Sequence, residues 1–165
     1  MKHTKLLNRI VVPGLFALYM FTLFRIILFK YSSIDLDFLW HRLQNNLEKP
    51  QYSMHRMQYG NFIPLRTISD TVLSPSRHEV INLVGNILAF MPYGIFLVLL
   101  SKSKKISLNG VFIQSLGMSI LLECLEVFFS IGNFDVDDLI LNTSGGLLGY
   151  GIFRLYVKYV GIKPM

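Results

Sequence analysis

The stretch Asp135–Gly146 reads DVDDLILNTSGG and opens the last apolar segment of a 165-residue chain. It is unusually polar for such a place. Asp135, Asp137, Asp138, Asn142, Thr143 and Ser144 crowd the entry to a run that ends near Val160. Gly145 and Gly149 then form a GxxxG step, with Gly146 and Gly151 nearby, so a neighbouring helix can approach closely. If the segment spans a bilayer, three carboxylates stand at one membrane edge and an amide lies a turn inside it. The fold turns on whether it does, and the function on which residues meet it.

Composition favours a membrane setting. The chain is 52% hydrophobic and 16% charged, with a mean hydropathy of +0.47, too apolar for an ordinary soluble domain. Apolar runs of about 20 residues match a hydrocarbon core of roughly 30 Å. We read an all-α integral membrane protein, a single domain over residues 1–165. It is a four-transmembrane-helix bundle with spans at about 10–29, 80–100, 108–129 and 136–160. The net charge of +6 sits at segment ends. There it orients helices and meets anionic lipid, so no nucleic-acid partner is expected. The single cysteine, Cys124, falls in an apolar run. It excludes an intrachain disulfide and a Cys-based metal site, and reads as a small core residue.

Lys2, Lys5 and Arg9 precede the first span, a retained signal anchor that carries Pro13 in its first turn and Arg25 toward its far end. Between Tyr31 and His78 lies a long connection of moderate polarity. Within it Ile34, Phe38, Leu39, Leu43 and Leu47 recur at helical spacing beside Trp40. That pattern predicts an interfacial amphipathic helix in the first external loop, ended by Pro50. Gln51–Gly60 has no clear periodicity, and Asn61–Leu65 reads as extended or turn-like because the residue before Pro64 avoids the α region. Lys102, Lys104 and Lys105 make the loop after the second span basic, whereas the loop before the fourth carries no basic residue. Lysine and arginine in short loops mark the cytoplasmic side. Both termini are then cytoplasmic and the long connection is external.

This orientation brings the intramembrane polar groups to one level. Asn82 and Asn86 share a face of the second span, Glu123 and Glu126 share one near the end of the third, and Asp138 and Asn142 begin the fourth. Ionisable groups in spans usually face the bundle interior or a wet cavity. We take Asn82, Asn86, Glu123, Glu126, Asp138 and Asn142 as ligand-binding candidates and Asp135 as a helix cap. Any one of the asparagines could also be interhelical hydrogen-bond glue. The two glutamates cannot both ionise cheaply, so the pair needs a shared proton, a cation, a ligand ammonium or Arg25 as charge partner. No HExxH, GxSxG, P-loop or Cys/His motif is present. Neither a metal nor a cofactor is expected.

Asn82-xxx-Asn86-xxx-Phe90-x-Pro92-x-Gly94, Glu123, and Asp135-xx-Asp138-xxx-Asn142-xx-Gly145-Gly146 together resemble the VanZ family, as does Asn61-Phe62-Ile63-Pro64 before the second span. The similarity runs from about Ile10 to Phe153. Many members carry Gln where Glu126 stands and Arg where Gly132 stands, so this chain has one more acid and one less cation there. The founding member confers low-level teicoplanin resistance. The resemblance therefore implies a multi-pass protein of the bacterial cytoplasmic membrane that contributes to glycopeptide or lipoglycopeptide resistance. Its outward-facing polar site would engage an amphiphile, membrane lipid or lipid-linked cell-wall intermediate, with lipoglycopeptide itself a further partner. Two alternatives stay open. One is an intramembrane hydrolase or transferase with Glu123 and Asp138 as catalytic acid and base. The other is a structural partner of another membrane protein, joined through Gly145 and Gly149.

Overall fold

The computed structural model describes residues 2–28, 36–101 and 106–160. They form seven α-helices: α1 (Lys2–Leu28), α2 (Leu36–Glu48), α3 (Gln51–Gln58), α4 (Arg66–Leu73), α5 (Arg77–Leu100), α6 (Leu108–Phe128) and α7 (Val136–Val160). Among the described residues the one strand-like pairing is a parallel bridge between Asn61 and Asp135. Phe29, Ile34, Lys102, Lys104 and Lys105, which entered the reading of the spans, amphipathic stripe and basic loop, lie outside the described residues.

Among the described residues three helices are long and apolar enough to cross a membrane: residues Ile10–Ile27 of α1, then α5 and α6. α7 is as long as these, with 25 residues, but Asn142, Thr143, Ser144 and Arg154 lower its hydropathy. It is the helix most involved in packing, against α5 above all and then against α6. Asn142, Thr143, Gly145, Gly146 and Gly149 are buried there. The outward faces of the long helices carry exposed Leu18, Phe21, Leu88, Ile113, Leu148 and Leu155. An apolar belt of this extent suits contact with lipid tails.

The ends of the long helices are set by local chemistry. Ser76 and Glu79 form a capping box at the start of α5. Ser107 caps α6 by accepting the Gly110 N–H at 3.1 Å. α5 continues through Pro92, which has no N–H to offer the carbonyl one turn back. Beside that carbonyl, Tyr19 donates its hydroxyl to the Ala89 carbonyl at 2.7 Å, tying α1 to α5. Phe16, Tyr19 and Phe96 pack ring on ring around the same contact. Leu23, Phe90, Tyr93, Leu97, Val111 and Leu122 form the apolar core.

The GxxxG step is used within the chain. A Cβ at Gly145 would strike the Ile87 carbonyl oxygen, and one at Gly149 the Met91 carbonyl oxygen, both on α5. That face of α7 is filled by α5, so it is not open to a second protein.

The local structure goes beyond these expectations in several places. Gln51–Gly60 contains α3 despite its weak periodicity, and α4 precedes the second apolar helix in a part of the long connection for which no element was read. Asn61–Leu65 is tied at Asn61 to the start of α7: the Asn61 N–H donates to the Phe134 carbonyl at 2.7 Å and the Val136 N–H to the Asn61 carbonyl at 2.9 Å. Cys124 is exposed on α6 instead of lying in the core.

Candidate functional site

The site is organised by the turn from α6 into α7. Ser130 adopts a left-handed conformation with φ 53°. The Ser130 N–H then donates to the Val127 carbonyl at 3.0 Å and the Ile131 N–H to the Glu126 carbonyl at 2.9 Å. These are the paired bonds of a Schellman motif, which ends α6 abruptly and satisfies its last carbonyls. The chain returns at once, and Asp135 takes the capping position of α7.

Asp135 does more than cap. Its Oδ1 accepts the Asp137 N–H at 2.8 Å, the capping bond. The same carboxylate accepts from Asn61 Nδ2 at 3.0 Å and Thr67 Oγ1 at 2.9 Å. Its own N–H donates to Glu123 Oε2 at 2.9 Å, which gives that carboxylate, 2% exposed, a fixed partner.

The next two acids diverge because successive helical residues point about 100° apart. Asp137 is fully buried and accepts the Leu65 N–H at 2.5 Å and the Ile68 N–H at 3.1 Å. It thus satisfies the first turn of α4, whose own capping residue Leu65 is left-handed, with φ 66°, and offers no side-chain bond. Asp138 turns the other way and accepts from Asn86 Nδ2 at 2.6 Å. One turn on, Asn142 donates through Nδ2 to Ser119 Oγ at 2.9 Å, tying α7 to α6.

A cavity of about 400 Å³ opens between these groups. Asn82, Asn86, Glu123, Glu126, Asp138 and Asn142 all line it, so the six candidates from three helices meet in one place. Arg25 does not join them: it is exposed on α1 and off the cavity wall. The cations at the cavity are Arg42 of α2 and Arg56 of α3. The Arg42 guanidinium rests over the Phe38 ring at 4.9 Å, and Arg56 donates to Asn133 Oδ1 at 3.2 Å. α2 is held over this end by Asn46, which donates to the Phe128 carbonyl and accepts from Ser130 Oγ at 3.1 Å. His78 is exposed and outside the cavity. Gly132 lies against Glu126, where a Cβ would collide with the carboxylate.

Sequence reasoning missed Arg42 and Arg56, and it gave Asp137 no role. Periodicity placed Arg42 on the polar side of α2, but no sequence signal shows that α2 and α3 fold back over α6. Chemically, the site offers carboxylates and amide oxygens in its depth and guanidiniums toward α2 and α3. Among the described residues no three His, Cys, Asp or Glu side chains are grouped to hold a metal ion.

The family model described as VanZ/LLP1 matches residues 16–157 of this chain. The chain belongs to the VanZ/LLP1 family. The matched region includes every cavity-lining residue, from Ile27 to Asn142. Protein VanZ of Enterococcus faecium is 28% identical over 161 residues, covering 96% of this chain and 83% of that protein. No solved structure matches. VanZ/LLP1 membership and the three apolar helices together make this a membrane protein.

Proposed function

We propose that this VanZ-like chain is a four-span protein of the bacterial cytoplasmic membrane with both termini cytoplasmic. Its polar cavity faces the outer leaflet and engages the head group of an amphiphile or a cell-wall-linked lipid. Occupancy of that site lowers the access of a lipoglycopeptide such as teicoplanin to its target. The observation that carries this reading is the meeting of six polar side chains from α5, α6 and α7 with Arg42 and Arg56 in one cavity. Polar groups so costly in hydrocarbon are retained where they serve a site.

α7 supports the fourth span. At 25 residues it is about 37 Å long, enough to cross. Its lower hydropathy comes partly from Asn142 and Thr143, which are buried against the bundle and not presented to lipid. The cavity lies at the α6–α7 turn, and the basic loop follows α5 in the chain and precedes α6, at their other ends; a cytoplasmic basic loop supports an external cavity.

The second reading is an intramembrane hydrolase or transferase on a lipid-linked substrate. It is favoured by Glu123 and Asp138 sharing the cavity. Turnover of a lipid-linked substrate separates the two: only the enzyme reading predicts turnover by the folded protein, lost in Glu123→Gln. The proposal itself is tested by teicoplanin susceptibility in a sensitive host expressing the chain. Reduced susceptibility that is lost in well-expressed Glu123→Gln, Asp138→Asn and Asn142→Ala supports it. Unchanged susceptibility in all three sinks the polar-site reading.

A further inference from the structure

The cavity holds buried acceptors that the protein does not satisfy. Asn142 is 2% exposed, its Nδ2 is spent on Ser119, and its Oδ1 has no hydrogen-bond partner. Asn82 Oδ1 is likewise buried without a partner, on the wall contributed by α5. A buried acceptor left unpaired is costly, so the two oxygens are poised for a donor from outside the protein. The surrounding charge selects its sign. Glu123, Glu126, Asp135 and Asp138 line the cavity against Arg42 and Arg56, four carboxyl groups to two guanidiniums. A group that is cationic and rich in N–H donors answers both features. A primary ammonium has three donors and no acceptor.

The arginines add a second element. Arg42 and Arg56 also line an adjoining cavity of about 410 Å³ beside Tyr52, His55 and Tyr59. They stand where the two spaces meet. Guanidiniums bind phosphate oxygens through paired, charge-assisted hydrogen bonds.

We propose that the cavity selects a primary ammonium held a short distance from a phosphate, the phosphoethanolamine arrangement. The ammonium sits among Asn82, Glu123 and Asn142, and the phosphate lies toward Arg42 and Arg56. This rests on the head-group reading above and specifies its chemistry. The source is a zwitterionic lipid or a free phosphoethanolamine unit. The adjoining cavity accommodates whatever the phosphate carries. A trimethylated ammonium fills similar space but offers no N–H to the two amide oxygens, and a glycerol phosphate brings no cation to the carboxylates.

The test uses the full-length chain in detergent and short-chain phosphatidylethanolamine, phosphatidylcholine and phosphatidylglycerol, with affinities read by native mass spectrometry. Phosphatidylethanolamine should bind at least about tenfold more tightly than either of the others, the weight of one hydrogen bond to a charged group. Asn142→Ala should erase that preference. So should Asn82→Ala, at a less buried position where folding is less at risk. Arg56→Gln should weaken phosphatidylethanolamine and phosphatidylglycerol alike. Excess soluble O-phosphoethanolamine that displaces the lipid supports a free head-group source, and binding confined to the lipid supports a membrane source. Equal affinity for the three lipids, or a preference that survives both asparagine variants, overturns the proposal. Tight phosphatidylglycerol binding that depends on Arg56, with no preference for the amine, overturns it while leaving the head-group reading standing. Lipid binding indifferent to every cavity variant removes both.

Discussion

Asn86 Nδ2 lies 2.6 Å from Asp138 Oδ1, joining α5 to α7 at the wall of the polar cavity. The bond links an amide to a carboxylate across two helices, so it both positions Asp138 and holds the bundle. Asn86→Ala is expected to lower stability by about 1–2 kcal/mol, in the range of interhelical hydrogen bonds in membranes and bonds to charged groups. Asn86→Asp should cost more, because it sets one carboxylate against another. Thermal unfolding in detergent reads both changes, and an unshifted midpoint in the two variants would remove this contact from the account.

Asp137 should prove structural although it adjoins a site residue. It takes two backbone N–H groups at the start of α4. Asp137→Ala leaves them short of an acceptor and is expected to cost about 2–3 kcal/mol. Limited proteolysis should then cut between Asn61 and Leu73 at rates that leave the α6–α7 turn untouched. Equal protection of that segment in variant and parent would contradict the assignment.

The glycines of α7 are expected to be unequal. Gly149 abuts the Met91 carbonyl, whereas a Cβ at Gly151 meets nothing within 4 Å. Gly149→Val should force α7 from α5 and lose folded protein, with overpacking of about 1–3 kcal/mol or more. Gly151→Val should be neutral. Yield of monodisperse protein after extraction separates them, and similar yields would mean that α5 and α7 do not approach this closely.

Asn46 fastens α2 to the end of α6 through Phe128 and Ser130. Asn46→Ala should loosen α2 and speed the reaction of a cysteine placed at Asn133 with a soluble thiol reagent, in a Cys124→Ser background. A severalfold faster rate with unchanged thermal midpoint is the expected result. An unchanged rate would mean that α2 does not restrict this end of the cavity.

The long helices and their polar level were legible because they obey simple rules. Apolar length marked α1, α5 and α6, and spacing placed Asn82 with Asn86 on one face. What escaped was tertiary. α3 lacks periodicity because its segment QYSMHRMQ is mostly polar, and it is helical by virtue of its contacts with α2 and α6. Asp137 and Asp138 look alike in sequence, yet one helical step sends the first to α4 and the second to Asn86. Arg42 and Arg56 reach the cavity only because the chain between α1 and α5 folds back, and charge alone favoured Arg25 on the span itself. Cys124 lies on the outward side of α6, and an apolar run does not show which of its sides faces lipid.

The most direct measurement of the central claim, an outward-facing polar cavity, is thiol accessibility in intact cells with a membrane-impermeant reagent. Cysteine is introduced singly at Asn133, on the cavity wall, or at Ser103, in the basic loop, with Cys124 replaced by serine. The account predicts labelling at 133 before lysis, and labelling at 103 only after the membrane is opened. Labelling at 103 in intact cells with 133 protected until lysis would contradict it.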